Sequence, residues 1–189
     1  MRSPRLVIGA TSSGSGKTSV TVALAAAFRR RGLSVQTFKA GPDFLDPAWL
    51  AAASGRPCFN LDGWMCGGNY VRDLFFRVTA NCDIALIEGV MGLFDGTSPT
   101  SIEGSTAELA RWLDAPVLLV ANAHGAARSV AAMVAGFAGF ERGVRVGGVI
   151  ANSCGSERHA GWIADALRGS CLLYTSDAAD DLLCVDLGG

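Results

Sequence analysis

The chain alternates short apolar runs with longer segments in which apolar residues recur every three or four positions. Five runs have the length and composition of β-strands: Leu6–Ala10, Val35–Lys39, Ile84–Glu88, Val117–Asn122 and Val146–Asn152. Segments with helical spacing separate them, at about Lys17–Arg31, Tyr70–Thr79, Ser105–Leu113, Ala127–Phe140 and Arg158–Leu167. Almost wholly apolar strands that alternate with helices predict an α/β fold, with a mostly parallel sheet and helices on both faces.

Polar residues follow the predicted strands at the point where each strand ends. A Gly/Ser loop follows the first strand, and the other four strands end at Lys39, Glu88, Asn122 and Asn152. Ligands bind at the carboxyl ends of the strands in sheets of this kind. The pattern therefore predicts a single site along that edge.

Composition narrows the class of protein. A length of 189 residues suits one α/β domain, and 50% hydrophobic residues argue against disorder. A net charge of −1 gives no general attraction to nucleic acid or to an anionic membrane, and no apolar stretch reaches about 20 residues. Six cysteines without a CxxC pair are typical of reduced, structural thiols. We therefore expect a cytoplasmic protein without nucleic-acid or membrane partners.

The first polar loop has the pattern of a phosphate-binding loop. Glycines let backbone N–H groups turn toward an anion, a lysine reaches the outer phosphates, and a hydroxyl binds Mg²⁺. The following helix directs its positive dipole end to the same place. The strict pattern has glycine where this chain has Thr11. The candidate nucleotide-binding residues of this loop are Thr11, Ser12, Ser13, Gly14, Ser15, Gly16, Lys17 and Thr18.

A lysine and two carboxylates follow the second strand in the segment KAGPDFLDP. Asp46 precedes Pro47, so it is either an ordinary helix start or a functional carboxylate, and both interpretations stay open. Asp43 lies in a Gly-Pro loop, which favours a functional role. Lys39 is a candidate for binding the nucleotide.

Glu88 ends a buried strand and is followed by a glycine-rich segment that contains Asp95. A carboxylate at this position is costly unless a cation meets it, and nucleotide-hydrolysing folds hold their metal here. The alternative is a glycine-rich surface turn. Asn122 and Asn152 carry amides that could read a purine edge, although turn formation is nearly as good an explanation for Asn122.

Six segments in register carry a family resemblance: ATSSGSGKT, KAGPDFLDP, NLDGWM, IEGVMGLFDG, GSTAELARWLDAPVLLV and GVIANSCGSERHA. With them, about residues 5–169 resemble the N-terminal ATP-binding domain of the cobyrinate a,c-diamide synthase family. That family is similar to dethiobiotin synthetase, and its phosphate loop has the altered spacing that leaves Thr11 in place of glycine. The resemblance implies a P-loop NTPase-type sheet.

The resemblance implies amidation of the a- and c-carboxylates of cobyrinic or hydrogenobyrinic acid through an acyl phosphate, with ATP and Mg²⁺. Nitrogen would come from glutamine, hydrolysed in a C-terminal glutaminase domain, or from ammonia. A homodimer is a possible oligomeric state. The resemblance also implies that Asn152 contacts adenine. The implied catalytic residues are Lys17, Asp43, Asp46, Glu88 and Asp95, and the implied metal ligands are Thr18, Asp43 and Glu88.

Two other functions are consistent with parts of the pattern. One is amidation of another tetrapyrrole carboxylate, such as that of nickel-sirohydrochlorin. The other is a partition-type positioning ATPase, but such proteins usually carry a signature lysine where this chain has Ser12. They also need a basic surface or an amphipathic tail, and the sequence shows neither.

The end of the chain departs from the alternation of strands and helices. We expect residues 1–169 to form the ATP-binding synthetase domain and residues 170–189 to be a tail foreign to the native protein, because SCLLYTSDAADDLLCVDLGG continues neither pattern. A glutaminase needs a cysteine nucleophile on a tight turn, and none of the six cysteines lies in a G-x-C-x-G context. We therefore expect the glutaminase domain to be absent.

Overall fold

The computed structural model describes residues 4–169, which form one parallel sheet with helices packed on it. The predicted tail at 170–189 lies outside these described residues. The strands are β1 Arg5–Ala10, β2 Val35–Ala40, β3 Phe59–Leu61, β4 Ile84–Glu88, β5 Val117–Asn122 and β6 Val146–Asn152. The helices are α1 Lys17–Arg30, α2 Asp46–Ser54, α3 Gly63–Val78, α4 Thr106–Trp112, α5 Arg128–Phe140 and α6 Glu157–Gly169.

The strand order places β1 inside the sheet. The order is β3-β2-β4-β1-β5-β6, and every neighbouring pair is parallel. The register sets Ile8 of β1 beside Glu88 of β4, and Glu88 beside Lys39 of β2. The carboxyl ends of these three strands therefore meet at one point of the sheet edge.

Two apolar cores lie on the two faces of the sheet. Successive strand side chains alternate between faces, so Val7 packs with Phe75 of α3 while its neighbour Ile8 packs with Val20 of α1. All four side chains are fully buried. Burial of a side chain of this size contributes about 1.5–3 kcal/mol, so the two faces together hold the strands in register.

The structure confirms the α/β class and all five predicted strands, and it adds elements that the sequence pattern did not reveal. The three-residue strand β3 is too short to show a period, and α2 was predicted only as a helix start at Asp46. Helix α3 begins at Gly63, earlier than predicted, and is broken at Gly67, where φ is 77°. No helix within residues 4–169 is long and apolar enough to cross a membrane.

Helix α4 begins with a capping box that departs from the usual pattern in one bond. The hydroxyl of Ser105 accepts a hydrogen bond from the Glu108 N–H at 3.2 Å. The Glu108 carboxylate accepts from the N–H of Gly104, one residue before the expected position, at 2.8 Å. Both bonds satisfy donors at the start of the helix, so the box still ends the loop that follows β4.

We expect Phe75→Ala to lower the free energy of unfolding by about 3–5 kcal/mol, because it leaves a large cavity. Phe75 is fully buried, and its ring lies 5.1 Å from that of Phe38, centroid to centroid. The matched control is Phe76→Ala on the same helix, since Phe76 is 39% exposed and should lose about 1 kcal/mol. Urea unfolding measures both, and equal losses would contradict this view of the core.

Candidate functional site

The loop between β1 and α1 has an open anion-binding geometry. Gly14 and Gly16 have φ values of 76° and 95°, in the left-handed region that favours glycine. The Ser15 hydroxyl donates to the Ser12 carbonyl oxygen at 2.9 Å and closes the turn. Among residues 4–169, nothing accepts a hydrogen bond from the backbone N–H groups of residues 13–16. These donors are available to phosphate oxygens.

Asn152, at the end of β6, is hydrogen-bonded to the backbone of this loop. Its Nδ2 donates to the Ser15 carbonyl oxygen at 3.0 Å. A Cβ atom on Gly16 would lie only 2.3 Å from the same Nδ2 atom. The absence of a side chain at Gly16 is therefore what lets Asn152 hold the loop. Its predicted contact with adenine stays a prediction.

Lys17, the first residue of α1, is held by a backbone carbonyl. Its Nζ donates to the Met91 carbonyl oxygen at 2.6 Å. Burial lowers the pKa of Lys17, and the nearby charge of Lys39 lowers it further. Met91 has φ of 50°, a conformation that a non-glycine residue adopts only at some cost. A phosphate oxygen would replace this single carbonyl with a charged partner.

Glu88 and Lys39 form a buried ion pair in direct register. Lys39 Nζ lies 2.9 Å from Glu88 Oε1, and Thr18 Oγ1 donates to the same oxygen at 2.6 Å. Glu88 is completely buried, and this burial raises its pKa, although the bonds from Thr18 and Lys39 oppose the shift. Burial alone would lower the pKa of Lys39, but its bonds to Asp46 and Glu88 outweigh this and raise it.

Both carboxylates after β2 lie at this pair, and each also has a structural role. Asp46 Oδ2 accepts from Lys39 Nζ at 2.7 Å, and Asp46 is the first residue of α2, so the helix-start interpretation is confirmed and its functional role stays a prediction. Asp43 Oδ1 accepts from the N–H groups of Leu45 and Asp46. Burial would raise the pKa of Asp43, but these two backbone bonds and Lys39 hold it below its ordinary value.

A magnesium ion fits the residues around Glu88. The Glu88 Oε2 atom is buried and has no hydrogen-bond partner within residues 4–169, which leaves one carboxylate oxygen available to a cation. The Thr18 hydroxyl, bonded to the other oxygen of Glu88, would be a second oxygen ligand. Within the described part of the chain, no three His, Cys, Asp or Glu side chains converge into a closed metal site. Mg²⁺ with a nucleotide needs only one or two protein oxygens, since phosphates and water complete its octahedron.

The structure brings together most of the predicted site residues. A cavity of about 450 Å³ is lined by Ser13, Gly14, Gly16, Lys17, Thr18, Lys39, Asp43, Asp46 and Glu88 among others. Thr11, Ser12 and Ser15 belong to the same loop, and Ser15 is buried. Asp95 and Asn122 do not line this cavity.

Asp95 and Asn122 each bind their own loop. Asp95 Oδ2 accepts from the Gly92 N–H at 2.9 Å, and the residue is exposed beside Thr11. Asn122 Oδ1 accepts from the His124 N–H at 2.9 Å, which is the turn-forming role. The catalytic role of Asp95 stays a prediction.

Two features of the site were missed from the sequence. The first is the Met91 carbonyl, which no residue type could have revealed. The second is that Lys17 and Lys39 are the chain's two lysines, although it has 14 arginines. That count was a usable signal, because a compact ammonium placed only in the phosphate loop and at the end of β2 indicates a special requirement there.

The loop, its helix and the acidic residue on the adjacent strand define a P-loop nucleotide-binding α/β domain. Solved structures support this class at the level of the fold. The hydrogenase maturation factor HypB from Archaeoglobus fulgidus superimposes with a TM-score of 0.59 and 12% identity, over 98% of this chain and 82% of that chain. FtsY from Mycoplasma mycoides gives 0.61 and 18% identity, over 98% and 64%.

The chain belongs to the CbiA family, the CobQ/CobB/MinD/ParA nucleotide binding domain, which matches residues 6–172. It is 67% identical over 167 residues to a cobyrinate a,c-diamide synthase from Syntrophotalea carbinolica, covering 88% of this chain and 36% of that protein. It is 49% identical over 164 residues to a hydrogenobyrinate a,c-diamide synthase from Streptomyces coelicolor, covering 87% and 34%. The chain spans about a third of the length of these curated relatives.

We expect Gly16→Ala to weaken ATP binding by more than about tenfold, since it combines a strained φ with a clash against Asn152. The control is Gly14→Ala, which has a similar positive φ but no atom of residues 4–169 within 4 Å of the added methyl group. Titration with a fluorescent ATP analogue measures both affinities. An equal loss for the two variants would show that Asn152 does not hold the loop.

Proposed function

We propose that this chain is the synthetase domain of a cobyrinate or hydrogenobyrinate a,c-diamide synthase, which amidates carboxylates of a corrin precursor in cobalamin biosynthesis. The observation that carries the proposal is the buried Thr18–Glu88–Lys39 cluster beside an open phosphate loop. The named activities of relatives that are 67% and 49% identical over most of this chain support the choice of substrate. They favour neither nickel-sirohydrochlorin amidation nor a positioning ATPase.

The chemistry explains why such a site is needed. A carboxylate is a poor electrophile toward ammonia, so one of its oxygens first attacks the γ-phosphorus of ATP and ADP leaves. Ammonia then attacks the carbonyl carbon of the acyl phosphate, the carbon–oxygen bond breaks, phosphate departs and the nitrogen loses a proton. Both steps depend on orientation and on stabilising the charge of the phosphoryl group.

The chain's residues have distinct parts in the first step. The N–H groups of residues 13–16 bind phosphate oxygens, and Lys17 exchanges the Met91 carbonyl for the outer phosphates. Glu88 and Thr18 would hold Mg²⁺, which supplies positive charge against the phosphoryl oxygens when it is bound. Lys39 presents a fixed ammonium near the place where the acceptor carboxylate must arrive.

Asp46 keeps Lys39 in position, and Asp43 orders the loop that carries Asp46. Asp95 is proposed to act when the phosphoryl group moves, from the loop that also holds Met91. No protein nucleophile is required. Use of glutamine belongs to a longer protein with a glutaminase domain.

The proposal is tested by incubating the 189-residue chain with cobyrinic acid, MgATP and ammonium chloride and by measuring amides by mass spectrometry. We expect a,c-diamide to form with ammonium, faster at higher pH as more ammonia is unprotonated. Glutamine should not replace ammonium, because no cysteine has the required context. Absence of amide and of ADP under all conditions would contradict the proposal.

We expect Lys17→Ala to abolish amide formation while the fold remains, because the acceptor of its ammonium within residues 4–169 is a loop carbonyl. The loss should exceed about a hundredfold in turnover, as for other groups that stabilise transferring charge. Arg30→Ala, at the far end of α1, is the charge-matched control. Full turnover in Lys17→Ala at saturating ATP would remove the lysine from the mechanism.

A further inference from the structure

A second cavity, here called the aromatic cavity, lies directly beyond the ends of β2, β3 and β4. Its volume is about 280 Å³. Three strand-end segments line it, at residues 40–42, 61–65 and 90–91, together with α4 on the far side. Val90 and Met91 line this cavity and also the 450 Å³ cavity at the phosphate-binding loop, here called the phosphate cavity. The two spaces therefore share one wall.

The lining of the aromatic cavity is apolar and aromatic. It includes Trp64, Met65, Met91 and Trp112. Trp64 and Met65 are 75% and 68% exposed, so two large apolar side chains are in water beside the phosphate cavity. A grouped exposed apolar surface of this kind marks a binding region more often than a single exposed side chain does.

Glycines in α3 make room for the indole of Trp112. A Cβ atom on Gly63 would lie 2.3 Å from the ring, and one on Gly68 would lie 3.0 Å from it. The ring is thus held against bare backbone and forms a rigid wall of the cavity. A rigid aromatic wall binds a flat ligand at low entropic cost.

The cavity has no cation among the described residues that line it. Its two ionisable lining residues are carboxylates that accept backbone hydrogen bonds, since Asp62 accepts from the N–H groups of Trp64 and Met65, and Glu108 accepts from the N–H of Gly104. The ammonium of Lys39, one residue before the segment 40–42, already donates to Asp46, Glu88 and Gly89. A ligand that suits this arrangement presents an apolar surface to this cavity and its reacting carboxylate to the adjoining phosphate cavity.

We propose that the aromatic cavity binds an apolar edge of the acceptor macrocycle and thereby directs one of its carboxylates into the phosphate cavity, with which it shares Val90 and Met91. This inference rests on the proposed function and adds the residues that select the acceptor. A cavity of 280 Å³ is below the range of about 300–1,000 Å³ in which pockets enclose whole ligands. It therefore takes part of the ring, and exposed Trp64 and Met65 cover the adjoining surface.

The test is calorimetric titration of the 189-residue chain with cobyrinic acid and, separately, with MgATP. Trp64→Ala should weaken the affinity for cobyrinic acid about tenfold, as loss of an aromatic contact at a binding centre does, and leave that for MgATP unchanged. The matched control is Trp162→Ala on α6, a tryptophan that is 55% exposed at the opposite edge of the sheet, which should change neither affinity. Trp112→Phe, which keeps most of the packing against α3, should weaken cobyrinic acid binding alone.

Each other outcome overturns the inference, and the ligand whose affinity changes distinguishes between the alternatives. Unchanged cobyrinic acid affinity in both Trp64→Ala and Trp112→Phe refutes the aromatic cavity and leaves the proposed function standing. A loss of MgATP affinity instead would place the nucleotide in this cavity. A change of mass in sedimentation would make it a contact between copies of the chain. No binding of cobyrinic acid by the unmodified chain would overturn the proposed function together with the inference.

Discussion

The buried pair of Lys39 and Glu88 is the interaction on which the site depends. Two charges in a sheet interior are costly to desolvate, and only close partners offset that cost. Lys39 Nζ has three acceptors within 3.2 Å. One oxygen of Glu88, Oε1, accepts hydrogen bonds from both Thr18 and Lys39. Removal of one partner would leave an uncompensated charge, at a cost of about 3–5 kcal/mol. The pair therefore joins β2, β4, α1 and the start of α2 in one arrangement.

Internal partners satisfy only part of the phosphate site. Lys17 binds the Met91 carbonyl, whereas Glu88 Oε2 and the N–H groups of residues 13–16 have no partner in the described chain. Groups that are positioned but incompletely bonded have little reorganisation to undergo when a ligand arrives. The strained φ of Met91 is consistent with this, because the ligand would release the contact that holds the residue.

Much of the fold and part of the site could be predicted from the sequence, for definable reasons. Apolar strands and the Gly-Lys-Thr loop are local signals, so β1, its loop and the strand ends at Lys39 and Glu88 were found. The contact between those two side chains depends on β2 and β4 being neighbours in register, which residue order alone does not determine. For the same reason the sequence did not show that Asp95 binds its own loop and stays outside the phosphate cavity.

The use of lysine at these two positions of the site follows from geometry. Lys39 Nζ lies 2.7 Å from Asp46 on α2, and 2.9 Å from Glu88 and 3.2 Å from the Gly89 carbonyl at the end of β4. A compact ammonium can donate in three directions, whereas a planar guanidinium matches acceptors that lie in one plane. Lys17 is buried and donates to a single carbonyl at 2.6 Å, that of Met91. Its compact ammonium can exchange this acceptor for phosphate oxygens that arrive from another direction. The other positively charged residues of the chain are arginines, and the two buried positions of this site carry its two lysines.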